Sequence, residues 1–289
     1  MPILSNLVFS SRKGVRCGLA AAKISPDLCR GWSPNNMHEY DLFSLVLLFF
    51  TGVLAGVINV MAGGGSSIVL PVLIFLGIDP TVANGTNRVA ILFQNFFATL
   101  SFRKEGVADI KTGVKLAAFT LPGVLVGAFA AVRVGDELFE KILAVVLIFV
   151  CASFFLKVDS FGKLLGGGGE TGRGWVLYPA LVLIGFYGGF IQVGVGLFIM
   201  AALYHLMGAS LAKVNAHKVI VVLTYTIPAI LIFFLSGNII WFIGICLAAG
   251  NSVGGWFGAM FSVRGGEKYI RMALVVAVGL MALKLLRVF

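Results

Sequence analysis

Five basic side chains, Arg88, His205, Lys213, His217 and Lys218, stand inside stretches that are otherwise apolar, and no Asp or Glu lies at the middle of any such stretch. An ionisable group in hydrocarbon costs a few kcal/mol on insertion scales, so each of the five is a candidate for work on a substrate. A cation carrier or a carboxylate proton relay needs acids at mid-membrane depth, whereas this distribution favours an anion as cargo. Asp79 stands beside a glycine-rich interruption, and its pairing with Arg88 is the structural alternative to substrate contact.

Neutral hydrogen-bonding residues accompany the cations. On a helix drawn at 100° per residue, Asn84, Asn87, Arg88, Gln94 and Asn95 fall in one stripe about 120° wide. At an offset of 131 residues, Asn84, Asn87, Gln94 and Asn95 correspond to Asn215, Lys218, Tyr225 and Thr226, while Arg88 meets the apolar Val219. Each half of the chain thus offers one cation and several neutral donors toward a shared interior. Lys213, His217 and Thr224 lie on the opposite face of the second helix, which turns His217 away from that interior. His205, alone in a short apolar helix, reads as a core histidine.

Two interruptions, Gly63-Gly64-Gly65-Ser66-Ser67 and Gly194-Val195-Gly196, break the longest apolar stretches. A short helix beginning after Gly65 aims its first N–H groups and its positive dipole end at the break, and Ser66 and Ser67 add hydroxyls, which together suit an anion. The alternative is that the glycines only let helices approach, as in Gly123-x-x-x-Gly127 and Gly254-x-x-x-Gly258. Asn59 and Gln192 precede the breaks and suit local capping as well as substrate contact. The candidate binding set is Gly63, Gly64, Gly65, Ser66, Ser67, Asn84, Asn87, Arg88, Asn95, Gly194, Gly196, Asn215, Lys218 and Thr226.

Catalytic and metal chemistry find no support. The histidines at 38, 205 and 217 do not cluster, and cysteines 17, 29, 151 and 246 have no CxxC spacing. The run Gly166 to Gly169 lacks a preceding strand and a following Lys-Ser/Thr, so it is a linker rather than a phosphate loop. No cofactor is expected.

The elements that must position these groups follow from composition. Of 289 residues 59% are hydrophobic and only 12% charged, against about a quarter charged in soluble domains, and mean hydropathy is +1.02. This is an all-α polytopic membrane protein, and a soluble enzyme is excluded. The balance of 22 Lys+Arg against 12 Asp+Glu sits largely in short loops, where it sets membrane orientation rather than nucleic-acid binding. The lipid bilayer and a small anion are the expected partners; a homo-oligomer is left open.

Residues 42–78 and 174–212 are free of Asp, Glu, Lys and Arg, and both are longer than the roughly 20 residues of one span. Helices are predicted over about 42–61, a short 66–77, 85–102, 113–132 and 138–156. The second half repeats them, with a break at Gly194 to Gly196, a short helix at about 197–207, and spans near 212–235, 238–261 and 268–286. The organisation is a tail at 1–40, a first repeat at 41–157, a polar connector at 158–174 and a second repeat at 175–289. The tail carries Arg12, Lys13, Arg16, Lys23 and Arg30 against Asp27, like a targeting segment, although Met37 directly before the first span is an alternative start.

Sliding the chain by 131 residues aligns Gly63 with Gly194, Gly65 with Gly196, Gly77 with Gly208, Gly106 with Gly237, Gly123 and Gly127 with Gly254 and Gly258, and Arg133 with Arg264. Upstream of the break the offset becomes 133, matching Gly52-x-x-x-Gly56 to Gly185-x-x-x-Gly189. Such duplications are common in secondary transporters, whose substrate sites lie between the repeats. Eight crossings would make the halves parallel and ten would invert them. The Lys and Arg of the loops separate the two by a single residue, with a slight lean to ten.

These residues resemble a family. The break followed by Leu70-Pro71, the segment Gly85-Thr86-Asn87, Leu121-Pro122-Gly123-x-x-x-Gly127-Ala128, the run from Tyr187 to Gly196 and Gly237-Asn238-Ile239-Ile240-Trp241 are similar to the sulfite exporter TauE/SafE family over about 42–289. The resemblance implies a bacterial-type inner (plasma) membrane permease for sulfite, sulfonates, sulfoacetate or related organic anions. Ala216-His217-Lys218 departs from the Gly-Thr-Asn of the first repeat, which points to a more basic second half-site and a different substrate. The expected function is secondary transport of a small oxyanion by alternating access. The alternatives are an anion channel, a membrane-embedded enzyme, which would want clustered histidines or acids, and a purely structural subunit.

Overall fold

The computed structural model describes residues 42–155, 176–207 and 210–265. The expected tail, the glycine-rich connector and the span near 268–286 lie outside the described residues, as does the side chain of His205. Within them the chain forms nine helices and no strand: α1 (Leu42–Ala62), α2 (Ser66–Phe75), α3 (Pro80–Lys104), α4 (Ile110–Arg133), α5 (Asp136–Phe155), α6 (Leu177–Phe190), α7 (Val195–Met207), α8 (Leu211–Leu235) and α9 (Trp241–Arg264). The helices expected within the described residues are all present, longer by a turn or so at several ends. The second interruption is the exception, because α6 stops at Phe190 and the backbone is already extended at Ile191, ahead of the glycines expected to break it.

Among the described residues four helices, α1, α4, α8 and α9, are long and apolar enough to cross a membrane. At 1.5 Å per residue α2, α6 and α7 reach only about 15 to 21 Å each, short of a hydrocarbon core of about 30 Å. The 25-residue α3 is long enough but polar in composition, and the polarity has a direction. Asn84, Asn87, Arg88, Gln94 and Asn95 are all buried inside the protein, whereas Phe93, Phe96, Phe97 and Leu100 are exposed. The helix therefore turns an apolar face outward, as a lipid-facing helix must.

Paired glycine contacts give the helix directions. Gly52 of α1 lies against Leu247 and Asn251 of α9, Gly56 against Asn251 and Gly254, and Gly258 against Val57 and Val60, so α1 and α9 run parallel. Helix α3 joins them in the same sense, since Val89 faces Gly244, Gln94 faces Gly255 and Glu105 binds Arg264. In α4 and α6, Thr120 faces Gly185 and Val124 faces Gly189, again parallel. Helix α8 runs against α3, since Gly85 faces Phe233 while Ala98 shares a buried cluster with Ala216 and Val219. The tight turn from α3 into α4, where Ala108 N–H donates to Phe102 O at 3.3 Å, reverses the chain. Hence α1, α3 and α9 point one way and α4, α6 and α8 the other. The first group borrows α9 from the C-terminal half, and the second borrows α4 from the N-terminal half.

Where α3 and α9 end, Arg264 donates to Glu105 Oε1 from Nη2 at 2.7 Å and from Nε at 3.0 Å. This bond holds the Glu105 carboxyl below the usual carboxylate range. A carboxyl depressed in the folded state contributes above its ordinary pKa and loses that contribution as pH falls through the native value. An exposed pair of this kind adds little. Glu105→Gln is therefore expected to leave thermal stability nearly unchanged at pH 7 and to flatten its decline in acid, measured by melting curves across pH 3 to 7.

Candidate functional site

The site grows out of the two breaks. A helix leaves its last carbonyls without intrahelical partners, and at the C-terminal end those carbonyls carry partial negative charge. Helix α1 closes with Gly63 N–H on Asn59 O at 2.8 Å. Gly63 then takes φ +81, a left-handed turn that most residues avoid, and carries the chain away from the α1 axis. Val60 and Met61 thereby lose the donors that a continuous helix would supply. Helix α6 ends with Ile191 N–H on Tyr187 O at 2.8 Å, which frees the carbonyls of Gly188, Gly189 and Phe190.

Donors for these carbonyls come from the opposite half. Lys218 of α8 donates from Nζ to Val60 O at 2.6 Å and to Asn59 O at 3.2 Å, and Asn215 Nδ2 reaches Met61 O at 3.4 Å. Arg88 of α3 donates from Nη1 to Gly188 O at 3.1 Å and from Nη2 to Gly189 O at 2.6 Å. Asn84 Nδ2 donates to Phe190 O at 2.9 Å. Asn84 and Asn215, matched by the 131-residue offset, thus do equivalent work, and each cation caps the broken helix of the other half. Arg88 also lies 4.6 Å from the Phe233 ring centroid, and among the described residues its charge meets backbone oxygen and a ring face rather than Asp79.

The breaks themselves touch. The Gly63 and Gly196 backbones are so close that a Cβ on Gly63 would lie 2.7 Å from the Gly196 Cα, and one on Gly196 would lie 2.6 Å from the Gly63 Cα. Beside this crossing is a small cavity with room for about one water molecule, lined by Asn59, Ile91, Asn95, Gln192, Val195, Gly196, Lys218 and Val222. No carboxylate is among them. Ile91 and Val222 are 131 residues apart, and Asn59 and Gln192 are 133 apart. The cavity therefore straddles the seam between the halves, lined on both sides by residues at corresponding positions. Gln192 Nε2 donates to Thr226 Oγ1 at 3.2 Å, while Gln192 Oε1, Arg88 Nε and both amide atoms of Asn87 are buried without a hydrogen-bond partner.

Of the residues proposed from sequence, Asn95, Gly196 and Lys218 line the cavity, and Thr226 stands behind Gln192. Asn84, Asn215 and Arg88 serve the helix ends. Lys218 lines the cavity, whereas Arg88 is not among its lining residues and spends Nη1 and Nη2 on the α6 carbonyls. At the start of α2 part of the backbone is already engaged. Ser67 N–H and Ile68 N–H already bond Gly64 O and Gly65 O at 3.1 and 3.0 Å, and the Ser67 hydroxyl also donates to Gly64 O. Ser66 Oγ is buried and unpartnered. Asn59 and Gln192 do reach the cavity, and their only signal in the sequence was their position before each break.

His217, expected to face away, does not line the cavity. It stands near Asp109, which caps α4 by accepting from Thr112 N at 3.1 Å and Thr112 Oγ1 at 2.6 Å. Those two bonds hold the Asp109 carboxyl below its ordinary value.

Crossed broken helices with cationic caps and a carboxylate-free seam are the setting in which comparison with known proteins becomes informative. The chain matches the family described as sulfite exporter TauE/SafE over residues 48–285. It belongs to that family. Members similar to it include a probable membrane transporter protein of Escherichia coli strain K12, 31% identical over 255 residues that cover 87% of this chain and 93% of the relative. A probable membrane transporter protein of a Sinorhizobium species is 30% identical over 256 residues, 86% of this chain and 95% of its own length. One from Haemophilus influenzae is 29% identical over 244 residues, 83% and 94% respectively. No solved structure matches the chain. Family and relatives are membrane transporters, and the paired breaks lie inside the matched region.

Proposed function

We propose that the protein is a secondary transporter of small sulfur-containing or organic oxyanions, such as sulfite or sulfonates, in the cell's inner (plasma) membrane. The observation that carries this reading is the seam cavity, lined from both halves by Asn59, Asn95, Gln192 and Lys218 without a carboxylate. Amide donors and a nearby ammonium suit an anion, and no acid side chain in the lining repels one. A space of about one water must widen to take an oxyanion, which favours a moving seam, and hence alternating access, over a standing pore.

The two halves, 41–157 and 175–289, are in this reading inverted repeats. Helices α3 and α8 are both 25 residues long with starts 131 apart, and α4 and α9 are both 24 long with the same spacing. Gly63 and Gly194 at φ +81 and +69, and Gly106 and Gly237 both at φ +72, follow it too. The opposite directions of α3 and α8, and of α4 and α9, support inversion. Counting the span that the sequence predicts near 268–286, this reading has ten helices, five in each half. The bodies that rock are then the two parallel groups, each holding one helix from the other half, with the substrate between them.

The test is binding followed by flux. Purified protein is expected to show saturable thermal stabilisation by one oxyanion among sulfite, sulfate, thiosulfate, taurine, sulfoacetate and matched carboxylates, and Gln192→Leu to lose it. In proteoliposomes the same anion is expected to show counterflow that saturates. Unitary currents would make the protein a channel, and no response to any anion would remove the anion reading altogether.

A further inference from the structure

Lys218 has more acceptors than it can use. Its ammonium carries three N–H donors and meets Val60 O at 2.6 Å, Asn215 Oδ1 at 2.9 Å, Asn59 O at 3.2 Å and Met200 Sδ at 3.4 Å. The residue is 2% exposed. Two of the oxygens are main-chain carbonyls at the end of α1, of which Asn59 O also accepts Gly63 N–H, and the third is a side-chain amide oxygen. Neutral oxygens converging on a desolvated cation are what membrane proteins use to hold alkali ions in place of hydration water. Unwound helix ends with the same carbonyl chemistry bind the coupling cations of secondary transporters. Here a side chain supplied by the opposite half fills the place. Its hydrogens are all engaged, so the charge reaches the adjoining cavity as a field and without a free N–H for an anion.

We propose that Lys218 is a tethered cation occupying an alkali-ion cage formed by Asn59 O, Val60 O and Asn215 Oδ1, so that the protein binds and moves its substrate with no free sodium or potassium ion. The cage stands on geometry alone. Its bearing on coupling rests on the transporter reading above. The covalent tether also ties α8 to the end of α1 in every state in which the cage is filled, whereas a diffusible ion would leave.

Removing the tether exposes the cage. The full chain and its Lys218→Ala variant are compared by thermal unfolding in sodium, potassium, lithium and ammonium chlorides against choline chloride at constant ionic strength. The wild type is expected to melt at the same temperature in all five salts. Lys218→Ala is expected to melt lower in choline and to recover in a saturable way with one of the small cations, as mass action requires of a ligand that binds only the folded state. Lys218→Met, which refills the space without charge, is expected to show no cation response. Equal melting of Lys218→Ala in every salt, or a cation-dependent wild type, would overturn the cage. Should Lys218→Ala not fold, wild-type flux with all alkali ions replaced by choline on both sides decides: unchanged flux supports the tether, and lost flux refutes it. The melting arm contains no substrate, so its outcome stands apart from whether the transported species is an oxyanion.

Discussion

Gly63→Ala is expected to prevent accumulation of folded protein. Two costs coincide at this residue. A non-glycine residue in the left-handed region costs roughly 1 to 2 kcal/mol, and Gly63 sits there at φ +81. The added methyl would also lie 2.6 Å from Leu197 N and 2.7 Å from Gly196 Cα, both main-chain atoms of the opposing break. Main chain does not yield as a flexible side chain does, and overpacking of this kind costs about 1 to 3 kcal/mol or more. A sum of about 2 to 5 kcal/mol is a large part of the 5 to 15 kcal/mol that holds a typical protein folded. Gly77 separates the two costs. It has φ +82, and a Cβ there meets nothing within 4 Å, so Gly77→Ala is expected to lose only the conformational share. The measurement is the yield of monodisperse protein and its melting temperature for both variants. Equal losses at Gly63 and Gly77 would show that the crossing of the breaks is not held by backbone contact.

The second large effect belongs to Arg88. Methionine there keeps much of the volume but leaves the carbonyls of Gly188 and Gly189 without the donors that now reach them at 3.1 and 2.6 Å. An orphaned buried acceptor costs about 1 to 3 kcal/mol, so Arg88→Met, which orphans two, is expected to destabilise by about 2 to 6 kcal/mol and to abolish flux. The loss is local before it is global. Hydrogen exchange is expected to accelerate first at the end of α6 and through Ile191 to Val193, since those residues follow directly on the two uncapped carbonyls. Arg88→Lys is expected to fall between, because an ammonium lacks the planar fork that serves two neighbouring carbonyls at once. A variant with wild-type melting, exchange and flux would show that the α6 end needs no cation.

Much of this architecture is legible in the residues. The apolar stretches, the glycine breaks and the polar stripe on α3 follow from periodicity, and the structure buries each residue of that stripe. The offset of 131 aligns glycines whose backbone conformations later agree, as at Gly106 and Gly237. Local chemistry carries such signals because a left-handed turn or a close helix approach constrains the residue that makes it. Other features stayed out of reach. The α6 helix ends at Phe190, before its glycines, because Arg88 and Asn84 of a distant helix take up its freed carbonyls.

The roles of the cations divide in the same way. That Arg88 and Lys218 are buried for a purpose follows from the sequence, since an unpaired charge in an apolar span is too costly to be incidental. Their partners could not be read there, because those partners are main-chain carbonyls, which every residue possesses and which no side-chain pattern marks. The sequence alone determined a helical membrane protein with two broken helices, a basic interior and a family. Only the tertiary structure decided that each cation caps the break of the opposite half, that α4 and α9 are exchanged between bundles, and that Asn59 and Gln192 share one cavity. Hydrophobicity and glycine conformation are properties of single positions, whereas satisfying a freed carbonyl depends on what another segment brings to it in space.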